Sequence, residues 1–279
     1  MPELPEVETI RQRLIKGFGD RPSILNQTIS KASLLLGSTL ANANPDYFQG
    51  ILPGNRVVSV GRRAKFLILN LTETSLVFHL RMSGDLFMES ISQPDEHPYR
   101  YRQHDRLRLD FNSGWRLVFN DIRKFGRVWL TTSPESLFSD LGPEPFDENL
   151  TPELFHERLK AKSRLLKPLL LDQSFIAGVG NIYSDEALFL AKLHPLRKSD
   201  SLSLEDAGRL LDAIRAVLSK GIDQKGASID WVYRGGEFQN YFQVYQQKDQ
   251  PCPLCGTPIQ KTKVGQRGTH FCPNCQKYS

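Results

Sequence analysis

Met1-Pro2-Glu3-Leu4-Pro5-Glu6-Val7-Glu8 opens the chain and decides how the rest of it is read. If Met1 is removed, as small Pro2 permits, the protein begins with a secondary amine beside a carboxylic acid. An amine can attack an electron-poor carbon and hold it as an iminium, which is covalent catalysis by an amine nucleophile. Because proline is a secondary amine, that iminium keeps its positive charge and acts as an electron sink. Behind it, Val7, Ile10, Leu14, Ile15 and Phe18 recur at helical spacing. Pro5 suits a first helical turn, and Glu6 and Glu8 complement the positive end of the helix dipole. The same positive end disfavours a protonated amine and so favours the nucleophilic form. On these residues alone, a solvated acidic cap on an amphipathic helix is the commoner explanation.

A chain of 279 residues is long enough for about two domains. With 39% hydrophobic and 24% charged residues it reads as soluble and globular. No stretch approaches the ~20 apolar residues of a membrane span. An N-terminus with three glutamates in its first eight residues, and no apolar core, is not a signal peptide, so a cytoplasmic location is expected. The net charge of +5 suggests a polyanionic partner. Its distribution says more. Arg56, Arg62, Arg63 and Lys65 form an acid-free run, and Arg100, Arg102, His104, Arg106 and Arg108 a second, diluted by Asp105. From Pro251 onward there is no acidic residue, while Lys261, Lys263, Arg267 and Lys277 are basic. One such run is commonly a solvated face; three beside catalytic and metal motifs favour nucleic acid.

The pattern predicts an α+β protein. In residues 1–140, Val57, Val58 and Val60 begin an apolar series. Phe66–Leu71 and Leu76–Leu80 across Thr72-Glu-Thr74 read as a hairpin, and Leu107, Leu109 and Phe111 turn through Asn112-Ser-Gly114 into Trp115, Leu117 and Phe119. These short strands imply a β-sandwich with the opening helix packed on it. The Pro- and acid-rich stretch at 141–150 reads as a linker, and 151–240 as a helical domain. Thr151 caps a helix carrying Leu154, Phe155 and Leu159. A second follows Asn181 and stops near His194-Pro195. A third starts at the Ser203/Asp206 capping box, with Gly221 where a C-terminal cap would sit. Gly178-Val-Gly-Asn181, a glycine turn ahead of a helix, is a candidate phosphate cradle or simply a tight turn between helices.

All four cysteines fall in the last segment, 241–279, as Cys252-Pro-Leu-Cys255 and Cys272-Pro-Asn-Cys275. This spacing suits one tetrahedral structural Zn2+, and four protein ligands leave no open position for catalysis. Such a ribbon would present Lys261, Lys263 and Arg267 on a small hairpin. Zinc ribbons bind DNA, RNA or protein, so the motif alone does not choose among them.

Met-Pro-Glu-Leu-Pro-Glu-Val-Glu-Thr9 resembles the opening of the formamidopyrimidine-DNA glycosylases, bacterial enzymes that remove oxidised purines from DNA. Further motifs carry the likeness along nearly the whole chain. Gly178-Val-Gly-Asn-Ile-Tyr183 is similar to the family's helix–two-turn–helix element, which implies a DNA contact for Asn181. Gly265-Gln-Arg-Gly-Thr-His-Phe-Cys272 is similar to its zinc finger. By resemblance, Pro2 is the Schiff-base nucleophile and Glu3 the proton shuttle. Lys65 in Arg62-Arg-Ala-Lys65 approaches the phosphate and base at the lesion, and Arg267 grips the flanking phosphates and assists the last elimination. Met82 in His79-Leu-Arg-Met-Ser-Gly84, with Arg123 and Phe125 in Asn120-Asp-Ile-Arg-Lys-Phe-Gly126, would enter the duplex. Ile122 and Lys124 stand where the family more often has Pro and Arg. His104 resembles a DNA-contacting histidine, although Arg106 departs from the usual second His; Lys162 and Arg164 are weaker phosphate candidates.

The resemblance therefore implies a bifunctional DNA glycosylase and AP lyase of base excision repair, acting as a nucleoid-associated monomer on double-stranded DNA that contains oxidised bases or abasic sites. Two other readings are an endonuclease VIII-type glycosylase for oxidised pyrimidines and a non-catalytic zinc-ribbon nucleic-acid-binding protein. Leu4, Val7-Glu8 and Arg62-Arg-Ala-Lys65 favour the purine branch over the first, and the second leaves Pro2-Glu3 without a purpose. Glu6 either positions the N-terminus or complements the helix dipole. The Gly226–Gly236 segment lies where the family closes a loop over the flipped base.

Overall fold

The computed structural model describes residues 2–93, 102–229 and 235–278. Met1, Arg100 and the middle of the Gly226–Gly236 segment lie outside the described residues. The chain divides into two units, Met1–Ser139 with Ala227–Gly236, and Asp140–Gly226 with Glu237–Ser279.

The first unit holds α1 (Leu4–Lys16), β1 (Ile29–Leu34), α2 (Pro45–Ile51), β2 (Val57–Arg63), β3 (Phe66–Leu71), β4 (Ser75–His79), β5 (Gly84–Ser90), β6 (Asp105–Phe111), β7 (Trp115–Asp121) and β8 (Arg127–Thr131). Two antiparallel four-stranded sheets, ordered β1-β6-β7-β5 and β2-β3-β4-β8, share one core. Leu67, Leu69, Leu76 and Phe78 of one sheet pack with Leu86, Met88, Leu107, Leu109, Leu117 and Phe119 of the other, and Val7, Ile10 and Leu14 of α1 complete the cluster. Phe78 and Phe119 meet edge to face across the sheets at 5.8 Å between ring centroids.

Alternation marks β3, where Leu67, Leu69 and Leu71 are buried and the residues between them only partly so, because a half-buried strand must present every second side chain to the core, whereas β4 is buried throughout. Val57 and Val60 are buried whereas Val58 is half exposed on the outer face. Lys65 sits with Ala64 in the two-residue turn joining β2 to β3. The turn closes because Ala64 adopts a left-handed φ of 52° and Arg62 Nη1 donates to the Ala64 carbonyl at 3.1 Å.

The second unit contains α3 (Pro152–Lys160), α4 (Leu166–Leu171), α5 (Asn181–Leu190), α6 (Leu204–Asp223), β9 (Gln260–Val264) and β10 (Arg267–Phe271). Thr151 and Ser203 cap α3 and α6 by accepting the N–H groups of Leu154 and Asp206. Helix α5 ends earlier than the His194-Pro195 stop. Lys192 turns left-handed at φ 57°, and the Leu193 and Lys192 N–H groups bond the Leu188 and Phe189 carbonyls, a Schellman closure. Gly221 is not a cap but lies inside α6, where a Cβ would come within 2.5 Å of the Tyr183 ring. Its role is close approach between α5 and α6.

The 141–150 segment is held to this unit. Gly142 N–H donates to the Gln173 carbonyl at 2.9 Å, and Arg215 donates to the carbonyls of Pro145 and Leu150 at 2.7 and 2.8 Å. Further along, the buried Glu186 carboxylate accepts the N–H groups of Gln243, Val244 and Tyr245 at 2.8–3.0 Å, which fixes the entry to the ribbon.

Candidate nucleic-acid interface and active site

Pro2 and Glu3 lie at the start of α1, with Glu3 as its N-cap. The acidic residues behind them are not a solvated cap: Glu3, Glu6 and Glu8 are all buried. Glu6 Oε2 accepts the Glu3 N–H at 2.7 Å, the reciprocal half of a capping box, and Glu6 Oε1 accepts the Ala227 N–H at 2.8 Å. One carboxylate thus fixes the backbone beside Pro2 and the start of the 227–236 segment. Arg13 Nη2 donates to the Gly235 carbonyl at 3.0 Å, so α1 holds both ends of that segment. Glu8 bonds Arg11 and Arg62, at 2.7 and 3.0 Å. Burial pushes the Glu8 carboxyl up, but these donors and Gln12 outweigh it and hold the group below its ordinary value.

The register of the strands gathers the remaining candidates of this unit. Phe66 pairs with His79, and His79 with Arg127, in one sheet, while Gly84 pairs with Asp121 in the other. The Leu80–Ser83 and Ile122–Gly126 connections therefore cross between the sheets side by side, and the Ala64-Lys65 turn lies at the same end.

Asp121, only 1% exposed, ties the two crossings together. Its carboxylate accepts the Ser83 hydroxyl in a short bond, the Arg123 N–H at 3.2 Å and the Gly126 N–H at 2.7 Å, and Ser83 Oγ also accepts the Arg123 N–H at 2.9 Å. The first crossing is tight enough that a Cβ on Gly84 would lie 2.6 Å from the Leu80 carbonyl. From these braced turns Met82, Phe125 and Ile122 project, 37%, 48% and 44% exposed, which core residues are not. The Arg123 guanidinium lies 5.1 Å from the centre of the Phe125 ring.

His104 ends a short 3-10 turn, with Nδ1 3.3 Å from Arg106 Nη2. Burial and the Arg106 and Lys124 charges lower its pKa. Arg106 is itself buried, donating to the Asp121 and Gln103 carbonyls at 2.7 and 3.1 Å, and Arg108 pairs with Asp105 at 2.6 Å. The second basic run is thus partly structural. Lys65 is buried beside His79, whose pKa burial, Arg81 and Lys65 together push down to about 3. His79 is neutral at physiological pH and its Nδ1 accepts the Arg81 N–H at 3.0 Å.

In the second unit Asn181 reaches the strand that carries Arg267: its Nδ2 donates to the carbonyl of Gly268, the residue after Arg267, at 3.1 Å. Gln173 braces the glycine turn ahead of α5, accepting the Gly178 N–H and donating to the Val179 carbonyl, both at 2.9 Å. Arg164 is exposed and pairs with Asp172 at 2.6 Å, which holds that carboxyl below its ordinary value. Lys261, Lys263 and Arg267 are exposed on the ribbon hairpin.

The four cysteine sulfurs lie within 4.8 Å of one another, with Sγ–Sγ separations of 3.8 Å for Cys252–Cys275 and 3.5 Å for Cys255–Cys272. A disulfide needs about 2.05 Å. A tetrahedron of thiolates about 2.3 Å from Zn2+ has edges near 3.8 Å. The donor set and spacing fit one structural zinc.

Sequence reasoning missed Asp121, the second bond of Glu6, and the Arg13 tether. The acidic end of β7 and the glutamate at the third helical position were visible, but their partners lie far away in sequence.

Comparison with known proteins covers the whole chain. The formamidopyrimidine-DNA glycosylase N-terminal domain matches residues 1–128, its H2TH domain 141–232, and the zinc finger found in FPG and IleRS 249–277. The formamidopyrimidine-DNA glycosylase of Chloroflexus aurantiacus is 41% identical, over 99% of this chain and 98% of its own. That of Heliobacterium modesticaldum is 42% identical, over 99% and 100%. Among solved structures, MutM in complex with carbocyclic 8-oxo-G containing DNA has a TM-score of 0.88 at 36% identity, over 99% of this chain and 100% of that one. The complex of Lactococcus lactis FPG (MutM) with Fapy-dG containing DNA gives the same four values, 0.88, 36%, 99% and 100%. With three domain matches in order and relatives this close over their full length, the chain belongs to the formamidopyrimidine-DNA glycosylase family.

Proposed function

We propose that the chain is a bifunctional DNA glycosylase and AP lyase that excises oxidised purines from double-stranded DNA. Support for the substrate class comes from relatives bound to DNA containing 8-oxo-G, Fapy-dG or an abasic site. The observation that carries the reading is the Pro2-Glu3 pair at the head of α1, with the Glu3 backbone held by Glu6.

Chemistry on a base requires the nucleotide to leave the stack, at a cost of a few kcal/mol. Met82, Arg123 and Phe125 fill the vacated space as a wedge. Asn181 and His104 contact DNA and Arg164 a phosphate, with the N-terminal end of α5 adding its dipole. The Pro2 nitrogen attacks C1′ of the deoxyribose while Glu3 shuttles a proton to the sugar ring oxygen, and the base leaves. The resulting iminium acidifies the C2′–H bond, so loss of that proton expels the 3′ phosphate. A second elimination expels the 5′ phosphate, with Lys65 and Arg267 stabilising the leaving charges. Zinc stays structural. The enzyme acts as a monomer in the nucleoid.

Duplexes carrying one 8-oxoguanine or one thymine glycol test the substrate class. Faster release of 8-oxoguanine is expected. Preference for the pyrimidine would assign the chain to endonuclease VIII-type chemistry, and cleavage of neither to a binding role alone.

A further inference from the structure

We propose that Asp185 is a positioning residue that holds β10, and with it Arg267, in register against α5; this rests on the reading that Arg267 works on DNA. Asp185 and Lys167 are a fully enclosed ion pair, both side chains 0% exposed, with Nζ 2.6 Å from Oδ1. Lys167 Nζ donates its other protons to the Asn181 carbonyl at 2.9 Å and the Ser184 hydroxyl at 2.8 Å. The second carboxylate oxygen, Oδ2, accepts the backbone N–H of His270 at 3.0 Å and lies 3.2 Å from His270 Nδ1. One carboxylate therefore joins α4, α5 and β10.

Strand β10 pairs with β9 along one edge, which leaves its other edge open to a different partner. Helix α5 meets that edge twice, through Asn181 at the Gly268 carbonyl and Asp185 at the His270 N–H. Two bonds at alternate residues fix register, and a slip by one residue would turn every side chain of β10 to the opposite face. The hairpin turn is seated too: a Cβ on Gly265 would come within 2.8 Å of the Pro168 ring, next to Lys167.

Zinc cannot do this alone. Arg267 lies five positions from the ligand Cys272, roughly 16 Å along an extended strand. The far end of the hairpin needs a second anchor. A buried ion pair is a poor way to gain stability, because desolvation offsets the attraction and an apolar pair serves the fold as well. What the pair adds is the second oxygen, which recognises one particular peptide N–H of β10.

The test is Lys167→Met/Asp185→Leu, an apolar pair that avoids stranding one charge, compared with the parent and with Arg267→Ala. On a preformed abasic site, δ-elimination relative to β-elimination should fall about tenfold or more while borohydride trapping stays within about twofold, since misplacing a group by an ångström costs up to ~100-fold. The His270 amide should exchange faster, with one zinc retained. Unchanged product ratio and unchanged His270 exchange in the folded, zinc-loaded variant would overturn the proposal. Loss of zinc or of cooperative melting would overturn it as well, because the network would then hold the fold rather than the register. If Arg267→Ala leaves the product ratio unaltered, the elimination role of Arg267 falls, and His270 exchange alone decides whether Asp185 sets the register.

Discussion

Removing the Asp121 carboxylate should loosen both inter-sheet crossings at once. In Asp121→Ala the Ser83 hydroxyl and the Gly126 N–H lose their acceptor, while the Arg123 N–H keeps Ser83 Oγ. A buried donor left unsatisfied costs about 1–3 kcal/mol, so two cost about 2–6. Rotation of the Ser83 hydroxyl and relief of burying a carboxylate bring the expected loss to about 3 kcal/mol. For a unit of this size that corresponds to a fall in melting temperature of about 10 °C. Asp121→Asn keeps one acceptor oxygen and turns an N–H2 toward the other donors, so it should lose about half as much. The same variants should slow excision of 8-oxoguanine from duplex DNA more than trapping on a single-stranded abasic site, because only the duplex requires the braced wedge. Urea unfolding and single-turnover excision measure both. A stability loss below about 1 kcal/mol, or equal loss on the two substrates, would refute the bracing role.

Phe125→Ala should slow excision from duplex DNA with a fall in melting temperature of at most about 7 °C, because at 48% exposure its stability cost is about 2 kcal/mol or less, against about 3–5 for a core Phe. A large thermal loss with equal effects on duplex and single strand would make it a core residue. Chelation or Cys272→Ala should unfold the ribbon, because metal binding is coupled to its folding, and abolish tight DNA binding while the sandwich stays folded. Zinc well below one per chain in protein of normal DNA affinity would contradict this. His79, with its pKa pushed down to about 3, is charged in the unfolded chain below about 6.5 but not in the folded one. The parent should therefore lose stability relative to His79→Gln by about 1.4 kcal/mol per pH unit as pH falls from 6.5 toward 3, and a constant difference would disprove it.

What sequence could show was local. The opening helix, the 66–80 and 107–119 hairpins and the cysteine spacing all announce themselves within a few residues, through periodicity, turn chemistry or ligand geometry. Strands β1, β5 and β8 do not stand out in this way. The inward Leu86 and Met88 of β5 do alternate, but the strand begins inside the Met82 loop motif, which hides it. Gly221 resembles a cap because a glycine ending an apolar face usually is one. Only the Tyr183 ring on α5 explains it. Lys167 and Asp185 carry no signal, and Asp121 shows only as an acid inside the 120–126 motif, since an acid or lysine is ordinarily exposed. They become anchors when β5 pairs with β7, or β10 meets α5, across tens of residues.

The proposed chemistry stands or falls on its nucleophile. Sodium borohydride added during reaction with abasic-site duplex should give a covalent protein–DNA adduct. Proteolysis and mass spectrometry should assign the DNA-bearing peptide to one beginning at Pro2, and protein retaining Met1 should give no adduct. Trapping on an internal lysine, or full activity with Met1 in place, would contradict it.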